Sequence, residues 1–183
     1  MENPIVAYAV CFAVYKLVEN AAMLKSGSLK NKMSRDASVW LIVVPYYLVL
    51  LAPVLEFAYL GATPGIWNYI PGGLLFLAAT VVRGKAHLDL GRHFSMFLQE
   101  RENRSFVESG LYRTIRHPLY LGNLLLYLAC PVFLAGRFSW LVAAAGVVGI
   151  ILRIRIEEKF LMENTEGYQD YMKRTRAMIP YIF

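Results

Sequence analysis

Glu108-Ser-Gly-Leu-Tyr-Arg-Thr-Ile-Arg-His-Pro-Leu-Tyr-Leu-Gly-Asn123 sets Arg113, Arg116, His117 and two tyrosines between a turn glycine, Gly110, and a long apolar run beginning at Leu119. Polar chemistry therefore sits at the mouth of a hydrophobic segment. Pro118 fixes the local geometry. Proline has no N–H to donate and a φ already near the helical value, so it suits the first turn of a helix, and it biases the residue before it away from helix. His117 is thus expected at a helix entrance, beside free N–H groups that attract carboxylates and phosphates. Singly, Arg116 and His117 would fit headgroup anchors at a membrane-helix end. Their combination in one short stretch points to a site.

The rest of the chain supplies the setting. Of 183 residues, 57% are hydrophobic and 17% charged, a balance far from that of soluble domains and typical of a membrane protein of about one domain. The formal charge of +6 is divided among short segments between apolar runs. With no basic stripe, no nucleic-acid partner is expected, and topology accounts for the charge. Cys11 and Cys130 both lie in apolar runs, and three histidines show no paired-ligand spacing, so neither a disulfide framework nor a metal site is indicated. The start Met1-Glu-Asn-Pro has no basic region, so no cleavable signal is expected.

Working back from the central stretch, residues 1–82 read as transmembrane helices and 83–183 as the region that carries the site, within one membrane domain. Crossing a bilayer takes about 20 mainly apolar residues. The first span is expected over Pro4–Leu24, interrupted by Lys16 and Glu19, and is followed by a basic loop, Lys25–Arg35, that should face the cytoplasm. Val39–Leu60 forms the second, with Pro45 and Pro53 expected to bend it. Glu56 near its far end has either a partner or a water-filled cleft, or lies hydrated at the interface. Gly61–Gly73 reads as a turn with Trp67 and Tyr69 as anchors, overlapping a third span from about Ile66 to Val82. Ala86–Ser109 carries too much charge to cross, and His87 and His93 are read as interfacial.

Beyond His117, Leu119–Ala135 and Phe138–Leu152 flank Gly136-Arg137 and predict a tight helical hairpin, short for two perpendicular crossings. Gly146 and Gly149 allow close helix contact there. The hairpin should bring Arg153, Glu157 and Glu158 back beside His117. The expected architecture is all-α and polytopic, with about five transmembrane helices, the amino end outside and a helical carboxyl-terminal tail in the cytoplasm.

Arg116-His-Pro-Leu-Tyr-Leu-Gly122, preceded by Gly110-Leu-Tyr112 and followed by Glu157-Glu158, resembles the signature of the isoprenylcysteine carboxyl methyltransferase and phospholipid methyltransferase superfamily. The similarity runs from about Leu90 to Pro180, through Gln99, Phe106-Val107, Arg153, Tyr168 and Tyr171; residues 1–80 share only a hydrophobic, helical character. The resemblance implies an integral-membrane enzyme using S-adenosylmethionine on a lipidic or small hydrophobic acceptor. That acceptor would be a prenylcysteine carboxylate, a phospholipid amine or a thiol. Cofactor contacts are implied for Gln99, Phe106, Val107, Tyr112, His117, Pro118, Leu119, Tyr120, Arg153, Glu157 and Glu158, with no separate catalytic side chain assigned.

Such chemistry suits the residues. Methyl transfer from a sulfonium is an in-line displacement that needs alignment and exclusion of water more than a strong base, and orientation alone can contribute about 7–11 kcal/mol. Arg153 and Glu157 are four apart and share a helix face, either as an ordinary ion pair worth about 0.3–0.5 kcal/mol or as contacts to a zwitterion's carboxylate and amino group. Gly122 allows close approach of cofactor or helix. Lys16 and Glu56 could line a gap through which a lipid-borne nucleophile enters. Two alternatives differ in class. The ending Arg176-Ala-Met-Ile-Pro-Tyr-Ile-Phe183 is also similar to the carboxyl terminus of NADPH-dependent sterol reductases, for whose additional spans this chain has no room. A non-enzymatic scaffold would leave the ordered motif without a reason.

Overall fold

The computed structural model describes residues 3–26, 36–91 and 106–179. Within them the chain forms helices α1 (Pro4–Ser26), α2 (Trp40–Leu60), α3 (Ile66–Leu90), α4 (Pro118–Phe133), α5 (Ser139–Asn164) and α6 (Tyr168–Arg174). The expected all-α polytopic membrane architecture is what forms. Helices α1, α3 and α5, and α2 with its preceding turn, are each long and apolar enough to cross a bilayer. Helix α4, with 16 residues, rises only about 24 Å, so the first arm of the hairpin is the short one. Leu51, Leu55, Leu74, Leu77 and Leu141 are more than half exposed, as side chains that meet lipid would be.

Antiparallel packing places α3 against α4. Gly72 of α3 lies on the backbone of Phe133, where an added Cβ would come within 2.7 Å of its Cα, and near the other ends Arg83 crosses Gly122. Tyr8, Phe76 and Phe133 fill the space between α1, α3 and α4 edge to face, with ring centres 5.6 and 5.9 Å apart for Tyr8–Phe76 and Phe76–Phe133. Helices α2 and α5 meet at backbone distance because Gly149 faces the carbonyl of Leu41, while Gly146 makes room for the Tyr127 ring of α4. Pro45 and Pro53 both lie within one continuous α2. Pro45 has no N–H to give the Leu41 carbonyl four residues earlier, and its ring carbons pack against Gly146 and Gly149 of α5.

Several boundaries differ from the sequence reading for physical reasons. The third span continues past Val82 to Leu90, because Arg83 and His87 turn into the bundle and find partners there instead of ending the helix. Trp67 and Tyr69 belong to its first turns, not to a connecting turn. Helix α5 runs past Leu152 to Asn164, carrying its charges beyond the apolar segment. His87, read as interfacial, is fully buried. Most of the basic loop (27–35), His93 and Pro180–Phe183 lie outside the described residues.

Glu56 resolves in favour of a partner. It is buried, and its carboxylate accepts the N–H groups of Phe138 (3.1 Å) and Ser139 (3.0 Å), and that of Arg137. These are the orphan donors at the start of α5. One carboxylate on α2 thereby caps the hairpin's second arm, at the end of the bundle opposite to His117, so it lines no lateral gap. Glu56→Ala is expected to lower stability by about 2–3 kcal/mol, since several buried donors lose a charged acceptor together. A thermal melt in detergent would measure this, with Glu56→Gln retaining part of the loss.

Candidate functional site

Five helix ends converge at the other pole of the bundle: the finish of α1, α3 and α5 and the beginning of α2 and α4. The His-Pro corner sits among them. His117 has φ −126° and ψ 58°, the non-helical conformation Pro118 requires of its predecessor, and its carbonyl receives the N–H groups of Tyr120 and Leu121 at 3.1 Å each. A short parallel bridge fixes it from outside. Arg116 N–H donates to the Arg176 carbonyl at 2.8 Å, His117 N–H to that of Ala177 at 2.9 Å, and Arg176 N–H to that of Thr114 at 3.1 Å. The tail is thus a structural part of the corner.

Side chains from α5 complete it. Glu158 receives Nε of Arg116 at 2.7 Å and lies 3.2 Å from Nε2 of His117. Arg116 also donates through Nη1 to the carbonyls of Thr175 (2.6 Å) and Met172 (3.3 Å). One turn into α4, the hydroxyl of Tyr120 donates to Glu157 at 2.7 Å and accepts from Nε of Arg153 at 3.3 Å. The rings of His117 and Tyr120 stack at 5.5 Å. Pro118 is fully buried under them, and Leu119 offers its carbonyl to Arg83 at 3.2 Å.

An aromatic wall stands beside this polar cluster. Phe106 packs against Tyr168 and Tyr171 with ring centres 5.6 and 5.0 Å apart. Tyr171 donates its hydroxyl to the Tyr112 carbonyl at 2.6 Å. Burial raises the pKa of the Tyr112, Tyr168 and Tyr171 phenols, so all three stay protonated donors. Val107 follows Phe106 and is half-buried. The turn that presents Tyr112 is pinned by Asp89, whose carboxylate accepts the Leu111 N–H at 2.9 Å. Gly110 has φ +60° there, and a Cβ would overlap that carboxylate. Gln99 lies outside the described residues.

The structure therefore gathers Phe106, Tyr112, His117, Pro118, Tyr120, Arg153, Glu157 and Glu158 at one end of the bundle. It also adds residues the sequence reading passed over. Arg153, 2% exposed, pairs with Asp36 at 2.8 Å and with the hydroxyl of Ser38, both just before α2. Beneath the corner, Arg83 pairs with Glu19 through Nε at 2.6 Å and reaches Asn123. Glu19 also takes Lys16, and His87 lies 3.6 Å from it. Lys16 is thus tied to this network through Glu19. Gly122 is the reason Arg83 can cross α4, since a Cβ there would overlap its side chain. The available signal for Arg83 and Glu19 was charge inside apolar runs, which marks function or pairing at depth.

Charge bookkeeping across the cluster leaves a remainder. Arg116 is matched by Glu158 and Arg153 by Asp36, whereas among the described residues no cationic side chain pairs with Glu157. The cluster can accept a cation or a hydroxyl at Glu157, with two buried guanidinium groups close by.

Comparison with known proteins points to one family and one fold. The model of the isoprenylcysteine carboxyl methyltransferase (ICMT) family matches residues 73–163. A methanethiol S-methyltransferase from Bradyrhizobium diazoefficiens is 38% identical over 46% of this chain and 32% of its own length. A protein-S-isoprenylcysteine O-methyltransferase from Arabidopsis thaliana is 28% identical over 78% of this chain and 77% of its own. The chain spans about a third of the length of the first of these relatives. Among solved structures, the eukaryotic intramembrane Ras methyltransferase ICMT superposes with a TM-score of 0.71 at 20% identity, covering 100% of this chain and 69% of that one, so the fold is shared.

Proposed function

The chain belongs to the isoprenylcysteine carboxyl methyltransferase family, and from that premise we propose that it transfers a methyl group from S-adenosylmethionine to a hydrophobic acceptor at the membrane interface. The observation that carries this reading is Glu157, which pairs with no cation among the described residues and is hydrogen-bonded to Tyr120 one turn from the His117–Glu158 contact. The donor set fits a sulfonium nucleoside, which brings cationic groups, ribose hydroxyls and a carboxylate to one place. Bound there, the cofactor supplies an already activated methyl carbon, so the protein need provide only alignment and a dry approach.

Each residue has a part in that task. Glu157 receives the amino group or a ribose hydroxyl, while Arg153 supplies positive potential for a carboxylate. His117 and Glu158 brace the corner, and Pro118, Leu119 and Tyr120 present its edge. Phe106, Val107 and Tyr112 provide an apolar wall for the nucleoside, and the family resemblance implies a cofactor contact for Gln99. The basic residues Arg113, Lys159, Lys173 and Arg174 share this pole, which supports a cytoplasmic site and carboxyl terminus with the amino terminus outside. A thiolate or carboxylate acceptor, the classes named for the relatives, needs little activation at neutral pH.

The test uses purified full-length protein in detergent. Calorimetric titration with S-adenosylhomocysteine should show binding and a raised melting temperature, because a ligand that binds the native state stabilises it; NADPH should do neither. Labelled methyl groups offered with prenylcysteine analogues, lipid extracts and small thiols would then identify the acceptor. Absence of S-adenosylhomocysteine binding would end the proposal.

A further inference from the structure

Arg153 and Glu157 lie one turn apart on α5, the arrangement in which a guanidinium and a carboxylate ordinarily pair with each other. They do not pair here. Arg153 instead turns its Nη1 to Asp36 at 2.8 Å and to the Ser38 hydroxyl, leaving Nε toward the Tyr120 oxygen at 3.3 Å. Asp36 is itself firmly held. Its other carboxylate oxygen accepts the Ser38 N–H at 3.1 Å and the Ser38 hydroxyl at 2.5 Å, closing the turn that starts α2.

We infer that Asp36 is a positioning residue for the cofactor site, acting by holding Arg153 away from Glu157. Two consequences follow from the chemistry. Because Arg153 Nε donates to the Tyr120 oxygen, the single phenolic proton is directed to Glu157, which it reaches at 2.7 Å. With Asp36 holding its Nη1, Arg153 makes its ion pair there and none with Glu157, whose carboxylate stays available to a ligand cation. Remove Asp36, and a buried guanidinium loses its carboxylate. Glu157, one turn along α5, is a carboxylate within reach to replace it, and the resulting ion pair would neutralise the ligand's anchor. The site is therefore completed by a residue from before α2, outside residues 73–163 that the family model matches.

This inference rests on the proposed cofactor reading, and the experiment separates the two. S-adenosylhomocysteine affinity is measured calorimetrically for the wild-type protein, Asp36→Ala, Asp36→Asn, Asp36→Glu, Arg153→Gln and Asp36→Ala with Arg153→Gln, each checked by its ligand-free melt. Asp36→Ala and the isosteric Asp36→Asn should weaken binding about tenfold or more, and Asp36→Glu should stay within about threefold of wild type. In the Arg153→Gln background, adding Asp36→Ala should change affinity by less than about twofold, because nothing remains to collapse onto Glu157. An equal loss in both backgrounds would show that Asp36 does not act through Arg153 and would overturn the inference. So would wild-type affinity in Asp36→Ala and Asp36→Asn. A wild-type protein that binds no S-adenosylhomocysteine overturns the cofactor reading itself.

Discussion

Glu157→Gln is expected to weaken S-adenosylhomocysteine binding roughly 10- to 150-fold, the equivalent of a charge-assisted hydrogen bond worth about 1.5–3 kcal/mol. The substitution keeps the size of the side chain and an oxygen for the Tyr120 hydroxyl, so the loss isolates charge. It should leave the ligand-free melting temperature nearly unchanged, since among the described residues Glu157 is paired with no cation whose partner would be stranded. Tyr120→Phe should cost less, because it removes a neutral donor and leaves the carboxylate in place. Titration of the two variants beside wild type decides the matter: unchanged affinity in Glu157→Gln would remove the basis for placing the ligand cation there.

How far the sequence disclosed this arrangement depends on the kind of signal each residue gave. Pro118 dictates the backbone of His117 locally, so the corner was legible from two residues, and the spacing of the apolar runs around Gly136-Arg137 was enough to expect a return of α5 to the same pole. The glycines at 146 and 149 likewise read as close contacts and are so. Partners across long separations were less legible. Asp36 reads only as a polar residue before a helix, and nothing local says that Arg153, more than a hundred positions later, will pair with it. Glu56 had two equally good readings until the start of α5 was seen against it. Arg83 and His87 were misjudged for one reason: a charge in an apolar run looks like the end of a span until Glu19, on a different helix, supplies its partner.

Arg116→Met should be the most destabilising single substitution at the site, at about 3–5 kcal/mol, for a reason beyond the loss of one ion pair. Arg116 and Glu158 are both largely buried, with side chains 9% and 14% exposed. Removing the guanidinium leaves the carboxylate facing His117 alone and takes the donor from the carbonyls of Thr175 and Met172, which hold the tail against the corner. A buried pair costs most when half of it remains, because the desolvation penalty persists after the compensating charge has gone. Arg116→Met with Glu158→Gln should therefore melt at a higher temperature than Arg116→Met alone, although it lacks more of the native contacts. The same clasp predicts that proteolysis in the segment after α6 accelerates in Arg116→Met and is partly restored in the double variant. Equal melting temperatures for the single and double variants would mean that Glu158 is hydrated in the native state, and that the clasp is held by the backbone bridge from Ile115 to Arg176 instead.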